Sequence, residues 1–480
     1  MSSARKSSAY IMASTFVSKG IAFVGSIFIA RLLFPEDFGY IVFAEIISAF
    51  IMLVANCGFE NFYLQEKIKD ECHESEVLGV TYRLRLVFNT ALFLIQLGIS
   101  FVVQYVFEEE IVGIILGILS IGHLLNSITI SRQYILRKKL DFRVESTANI
   151  ARDAVGTIAK VGFAFLGLGA VSIALGGIVG GLARTAWFLY AFKGVVLPLC
   201  WNSSVARRVW YFGIHSFSGN IGMYLGNYID KMLLGLTFSK AQMGLYSFAY
   251  SRADMTKAFT TRPLGSLIIS WVAKHKSNKD KVLIKLARFT YLEASLLGPM
   301  MLLLLVYADV VIPAVFGEQW KCVVPLFRVF LGVQLFTCLT DYVGTVLTGF
   351  GYPKLASRLV WTKMAVLSYT LYLAASYEDI MLYGMCFCCV NIGFSLMKAY
   401  VCLRILNSSL VEFCREIRLG VILFWLGLNA LALVLMRQAI GDTWISVITA
   451  AIFLLVSTVA NYFFFGGKRS LDVLNGVASR

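Results

Sequence analysis

Runs of predominantly apolar residues recur along the whole chain, each close to the roughly 20 residues an α-helix needs to cross a bilayer. We place them near 10–33, 38–56, 77–106, 111–130, 146–167, 170–192, 209–236, 243–270, 285–306, 325–350, 358–376, 381–403, 418–437 and 444–466. Short polar connections separate them. With 58% hydrophobic and 15% charged residues, the 480-residue chain carries more apolar surface than a water-soluble core absorbs. The expected fold class is an all-α integral membrane protein with about 14 transmembrane helices. The first run, ending ARLLFPEDFG, is too long for a signal peptide and has no small-residue cleavage site, so it should stay in the mature protein.

An even number of spans puts both termini on one side, and the basic residues choose which. One set of connections contains RQYILRKKLDFR (132–143), ARRVW (206–210), KHKSNKDKVLIK (274–285), REIR (415–418) and GKR (467–469). The alternate set contains PEDFG, FEEE, FGEQW, YEDI and GDTW. About 26 basic residues fall in the first set and about four in the second, so the first set and both termini are expected to be cytoplasmic. The net charge of +15 is therefore spread over short loops as a topology signal, which excludes a nucleic-acid-binding role.

No connection is long enough for a soluble catalytic or nucleotide-binding domain. The longest on the outer side is YADVVIPAVFGEQWKC (307–322). No phosphate-cradling glycine loop is present, and His73, His123, His215 and His275 have no metal or catalytic spacing. The cysteines of CFCC (386–389) lie inside an apolar run and read as small helix residues. The expectation is no enzyme, no cofactor and no metal ion.

The turn after the first span recurs. FPEDFGYIVFA (34–44) and FSKAQMGLYSFA (238–249) each give Phe, a polar turn, then Gly-x-x-x-Phe-Ala. The offset is about six spans, which implies a parallel repeat: two pseudosymmetric six-helix lobes, 1–206 and 207–405, with two further helices in 406–480. LGGIVGGLAR (175–184) has the small-residue spacing of a close helix contact.

Ionisable groups at bilayer depth are expensive and mark cavities or partners. Arg83, Arg85, Lys231, Arg328, Lys363 and Lys398 fall near span ends, where their side chains can snorkel to the interface. Lys19 lies about nine residues, roughly 13 Å, into its helix. Lys160 and Lys257 are deeper, and Arg184 and Arg252 intermediate. Within SRADMTK, Asp254 and Lys257 are spaced to pair at i,i+3. Arg152 and Asp153 are adjacent and expected on different faces. Asp341 is a carboxylate deep in the run 325–350, and Asp254 and Glu293 also lie within runs.

ARLLFPEDFG, CGFENFYLQEK, LRKKLDFR and NYIDKMLLGLTFSKAQMGLYSFAYS together resemble Wzx-type oligosaccharide flippases, the polysaccharide-transporter branch of the MOP exporters. The resemblance covers the layout of the whole chain. It implies a MOP-like fold in the inner membrane that flips an undecaprenyl-pyrophosphate-linked oligosaccharide to the periplasmic leaflet by alternating access, for surface polysaccharide synthesis. Its partners would be that lipid-linked oligosaccharide, membrane lipids, and the polymerase and chain-length proteins of the pathway.

In that light Lys19, Arg31, Lys160, Arg184, Arg252 and Lys257 are candidates for neutralising the pyrophosphate. Ser18-Lys19 is similar to the cavity-lining step in the first helix of lipid II flippases. Asn220, Tyr224, Asn227, Tyr246 and Tyr250 are candidate sugar contacts, and Asp341, Asp254 and Glu293 candidate carriers of a coupling ion. A MOP-type small-molecule or multidrug antiporter is the alternative, and a membrane-embedded glycan polymerase a more distant one.

Overall fold

The computed structural model describes residues 2–55, 58–68, 70–139, 141–192, 200–258 and 261–464. Among these residues there are helices and no strands. In chain order they are α1 (Ser2–Leu32), α2 (Pro35–Ala55), α3 (Phe59–Gln65), α4 (Glu71–Tyr105), α5 (Glu110–Lys138), α6 (Arg143–Phe165), α7 (Val171–Ala191), α8 (Ser203–Thr237) and α9 (Lys240–Ala258). There follow α10 (Thr261–His275), α11 (Lys279–Phe316), a 3₁₀ turn (Glu318–Val323), α12 (Val324–Thr337), α13 (Thr345–Gly349), α14 (Pro353–Ala375), α15 (Ile380–Ile405), α16 (Leu410–Glu416), α17 (Leu419–Ile440) and α18 (Trp444–Phe464).

Nine stretches among the described residues are long and apolar enough to cross a membrane. The expected spans fall mainly on helix, with 243–270 divided between α9 and α10 and 325–350 between α12 and α13. Several run past their expected bounds because polar first turns are capped by side chains. Asp70 accepts from the His73 backbone N–H at 2.7 Å and starts α4. Asn202 accepts from Ser204 N–H at 2.9 Å and starts α8. At 35 residues each, these helices are about 52 Å long and outreach the hydrocarbon core.

Two expectations need correction. The outer stretch 307–322 is largely helical: α11 continues to Phe316 after a kink at Tyr307 (φ −104°, ψ 15°), and the 3₁₀ turn follows. The run at 325–350 is not one span, because α12 ends at Thr337 and α13 begins only at Thr345. Apolar composition alone conceals both interruptions.

The chain divides into two compact units at Gly244–Leu245. The expected lobe boundary at 206–207 follows the sequence repeat. The compact division follows packing, which joins α8 to α2, α3 and α4. In the first unit α6 packs closely on α7: a Cβ on Gly176 would lie 2.6 Å from the Lys160 nitrogen, and one on Gly180 2.6 Å from the Arg152 carbonyl oxygen. Those two glycines are the small-residue spacing noted in 175–184. A buried polar seam joins α4 to α5: His123 Nε2 meets Gln96 Oε1 at 2.8 Å, and Asn89 donates to Ser127 at 2.9 Å. Such bonds, with lipid rather than water as the alternative surroundings, hold membrane helices in register.

The start of α9 repeats the start of α2. Asp37, the third residue of α2, accepts from Phe34 N–H at 2.9 Å, and Gln242, the third residue of α9, accepts from Ser239 N–H at 3.1 Å. Each reaches back to a backbone donor just before its helix, as in a capping box. Gly39 and Gly244 are both fifth residues.

The core of the second unit forms around α11, against which α12, α17 and α18 pack. Tyr291 of α11 donates to Asn461 of α18 at 3.0 Å. Two carbonyls just before the kink at Tyr307, those of Leu305 and Val306, accept from arginine side chains. Arg328 supplies Nε to Leu305 O at 2.9 Å and Nη2 to Val306 O at 3.3 Å, and Arg437 of α17 also donates to Val306 O. Both guanidinium groups pair with Asp309. Arg328 is thus a clamp on the kink rather than a snorkelling anchor.

Candidate functional site

On α9, Tyr250, Asp254 and Lys257 are spaced four and three apart, which puts them on one face. In the second unit that face borders a cavity of about 600 Å³. The opposing wall comes from Phe330, Gln334 and Thr337 of α12, from Asp341 in the interruption after it, and from Lys363 of α14 and Lys398 of α15.

Thr337, Thr340 and Thr345 each turn the hydroxyl back onto a carbonyl three residues earlier: Gln334 O at 3.4 Å, Thr337 O at 3.1 Å and Tyr342 O at 2.6 Å. Threonine hydroxyls that bond the local backbone compete with helix continuation. The backbone responds with i,i+3 bonds from Leu339 to Phe336 and from Thr340 to Thr337. Gly344 adjoins the Lys398 side chain: a Cβ there would sit 2.7 Å from Lys398 Nζ, so a larger residue would push that ammonium group aside. The Thr340 and Ser395 hydroxyls bond each other and tie the interruption to α15.

Lys257 Nζ lies 2.7 Å from Asp341 Oδ2 and also donates to the Thr337 hydroxyl. The ammonium is the recessed member, with a side chain 8% exposed against 26% for Asp341. A cation so far from water persists only with a close anion and additional acceptors, and it has both. Lys257 therefore pairs across 84 residues of sequence rather than with Asp254, as its i,i+3 spacing suggested. Behind the interruption, Glu293 of α11 is 2% exposed and adjoins Tyr342.

Of the candidate site residues named from the sequence, Tyr250, Asp254, Lys257 and Asp341 share this cavity. The others lie elsewhere. Lys19 and Arg31 are exposed on α1. Lys160 packs over Gly176, and together with Lys231 it is within electrostatic reach of Glu45 on α2. Arg184 donates to Asn149 at 3.2 Å and lies 5.3 Å from the Phe188 ring. Arg252 stacks on Phe248 and Phe316, at 4.7 and 5.3 Å. Tyr224 uses its hydroxyl on the Ile46 carbonyl at 3.0 Å, and Tyr246 is fully buried against Phe330, Tyr383 and Phe387. Asn227 is exposed, while the Asn220 side chain lies outside the described residues. Arg152 and Asp153, expected to diverge, bond each other at 2.9 Å.

Lys363, Lys398 and Thr337 were missed as site residues. Lys363 looked peripheral because its span was started at 358, but α14 begins at Pro353 and makes Lys363 its eleventh residue. Depth within the helix, measured from the proline at its start, is the signal that points to it.

The profile of a family described as polysaccharide biosynthesis protein matches residues 28–325. The chain belongs to this family. Family relatives include the teichuronic acid biosynthesis protein TuaB of Bacillus subtilis, 24% identical over 69% of this chain and 68% of that one. The probable low-salt glycan biosynthesis flippase Agl15 of Haloferax volcanii is 23% identical over 75% and 74%. Among solved structures, the lipid II flippase MurJ in an inward closed conformation superposes with a TM-score of 0.68 at 11% identity, covering 94% of this chain and 98% of that one. An inward-facing multidrug resistance MATE family transporter of the MOP superfamily gives 0.62 at 11%, covering 83% and 95%. These likenesses establish a MOP-like all-α membrane fold, as the sequence led us to expect.

Proposed function

We propose that this family member is a flippase that carries a lipid-linked oligosaccharide across a membrane by alternating access. It is a transporter rather than an enzyme. The observation that carries the proposal is the convergence of Lys257, Lys363 and Lys398 on one largely apolar cavity. Cations at that depth suit an anionic head group, and a polyprenyl pyrophosphate supplies one together with a tail that stays in lipid. The names of the relatives support glycan biosynthesis as the setting. We take the cargo to be an undecaprenyl-pyrophosphate-linked repeat unit, moved outward across the cytoplasmic membrane, with both chain termini in the cytoplasm as the loop charges require. In this proposal the aromatic and amide groups beside the lysines, Tyr250 and Asn391, adjoin the first sugars.

The fold is shared with multidrug transporters, so drug antiport is the second reading. Three lysines against two aspartates in the cavity disfavour cationic drugs. The test is export of a defined glycan in a flippase-deficient strain, with drug resistance measured in parallel. Restored glycan export is expected. Drug resistance without glycan export would reverse the assignment.

A further inference from the structure

We propose that Asp341 is a displaceable counter-anion, holding Lys257 while the cavity is empty and yielding it to the cargo's phosphate by taking up a proton. The proposal rests on the cavity being the anion site described above. It adds what that site does with its own negative charge.

Three features of the geometry support it. The carboxylate is the outer member of the pair and the ammonium the inner one, so an entering anion reaches Asp341 before it reaches Lys257. Asp341 also stands in the non-helical interruption between α12 and α13, where no regular helix fixes its direction. Thr337, whose hydroxyl shares the ammonium, is the last residue of α12 and stays to orient Lys257 when Asp341 leaves.

Charge balance supplies the proton. The groups facing Asp341 are Lys257 and Asp254 from α9, Lys363 from α14 and Lys398 from α15, with Glu293 of α11 and the Tyr342 and Cys338 side chains behind. Among the described residues that line it, the cavity holds three lysines and two aspartates. A pyrophosphate diester is doubly negative, so its entry leaves the cavity with excess negative charge in surroundings that solvate ions poorly. A carboxylate that loses its ammonium partner to another anion is driven to its neutral form. One proton from solvent then bonds Asp341 Oδ2, neutrality returns, and Lys257, Lys363 and Lys398 all face the phosphates. Asp254 is a weaker choice for this role, because it is not the carboxylate on Lys257.

The test uses the purified full-length chain in nanodiscs and farnesyl-pyrophosphoryl-N-acetylglucosamine, a diester whose own charge is constant around neutral pH. Proton uptake is read by calorimetry in buffers of different ionisation enthalpy. We expect about one proton taken up per diester bound, and affinity that weakens with rising pH by up to about tenfold per pH unit. D341N should bind at least about fivefold more tightly with no proton uptake, its internal competitor having been removed. The wild-type pH series stands alone should D341N fail to fold. Binding indifferent to pH, or uptake that persists in D341N, overturns the counter-anion role while leaving the anion site in place. Absence of binding by the wild type at every pH overturns both.

Discussion

Gly39 and Gly244 each stand against the other's helix start. A Cβ on Gly39 would fall 1.8 Å from the Lys240 carbonyl oxygen, and one on Gly244 1.8 Å from the Pro35 carbonyl oxygen. The two turns recognised in the sequence as repeats are therefore also partners in space, crossing so closely that neither tolerates a side chain. Lys240 reinforces the crossing, 2.9 Å from Glu109 and 3.8 Å from the Phe43 ring.

Gly39→Ala and Gly244→Ala should each lower the melting temperature in detergent, the added methyl costing about 1–3 kcal/mol or more in overpacking. Gly20→Ala, with nothing within 4 Å of its Cβ position, should melt like the wild type. Equal melting of all three would contradict the crossing.

Lys257 and Asp341 should show strong coupling. Lys257→Met leaves the partly exposed Asp341 carboxylate without its cation, and Asp341→Asn strands a buried ammonium; the second should cost more, up to about 3–5 kcal/mol as for other broken buried pairs. The double variant should recover most of that in a thermal shift assay but not glycan export, since the cation is gone. Additive losses in the double variant would refute the pairing.

Arg437→Ala should loosen α17 from α11 by removing one of the two donors to the Val306 carbonyl and one of the two arginine partners of Asp309. We expect about 1–3 kcal/mol of destabilisation, with faster amide hydrogen exchange confined to the α11 kink and α17. Arg437→Lys should rescue little, because one ammonium does not reproduce the fork that serves Val306, Asp309 and Asp442 together. Full rescue by lysine would show that charge alone suffices.

Lys363→Ala and Lys398→Ala should each reduce glycan export about tenfold or more at unchanged membrane abundance, as expected for removing one charge-assisted contact to phosphate. Lys19→Ala tests the proposed cation of α1 in the same assay. Unchanged export there removes Lys19 from the transport path without touching the cavity lysines.

The repeat, the span positions and the all-α class were legible because they are periodic or local. A run of apolar residues states its own length, and a capped turn such as FPEDFG states where a helix begins. The interruption at 338–344 was hidden for the converse reason: threonine and glycine are common in membrane helices, and only the backbone of the folded chain shows that the helix stops there. Arg328 was misjudged because the kink it serves lies in another helix.

What the sequence by itself determined is that this chain is an all-α protein that lives in a bilayer, with its basic residues concentrated in one alternate set of connections. Hydrophobic length and loop charge act residue by residue, so no folded structure is needed to read them. Which intramembrane charge meets which was decided only by tertiary structure. Lys257 has Asp254 one helical turn away and yet pairs with Asp341, 84 residues distant, because packing α9 beside the interruption after α12 brings that carboxylate to 2.7 Å. In a medium that solvates ions poorly, the nearest opposite charge in space prevails over the nearest in sequence.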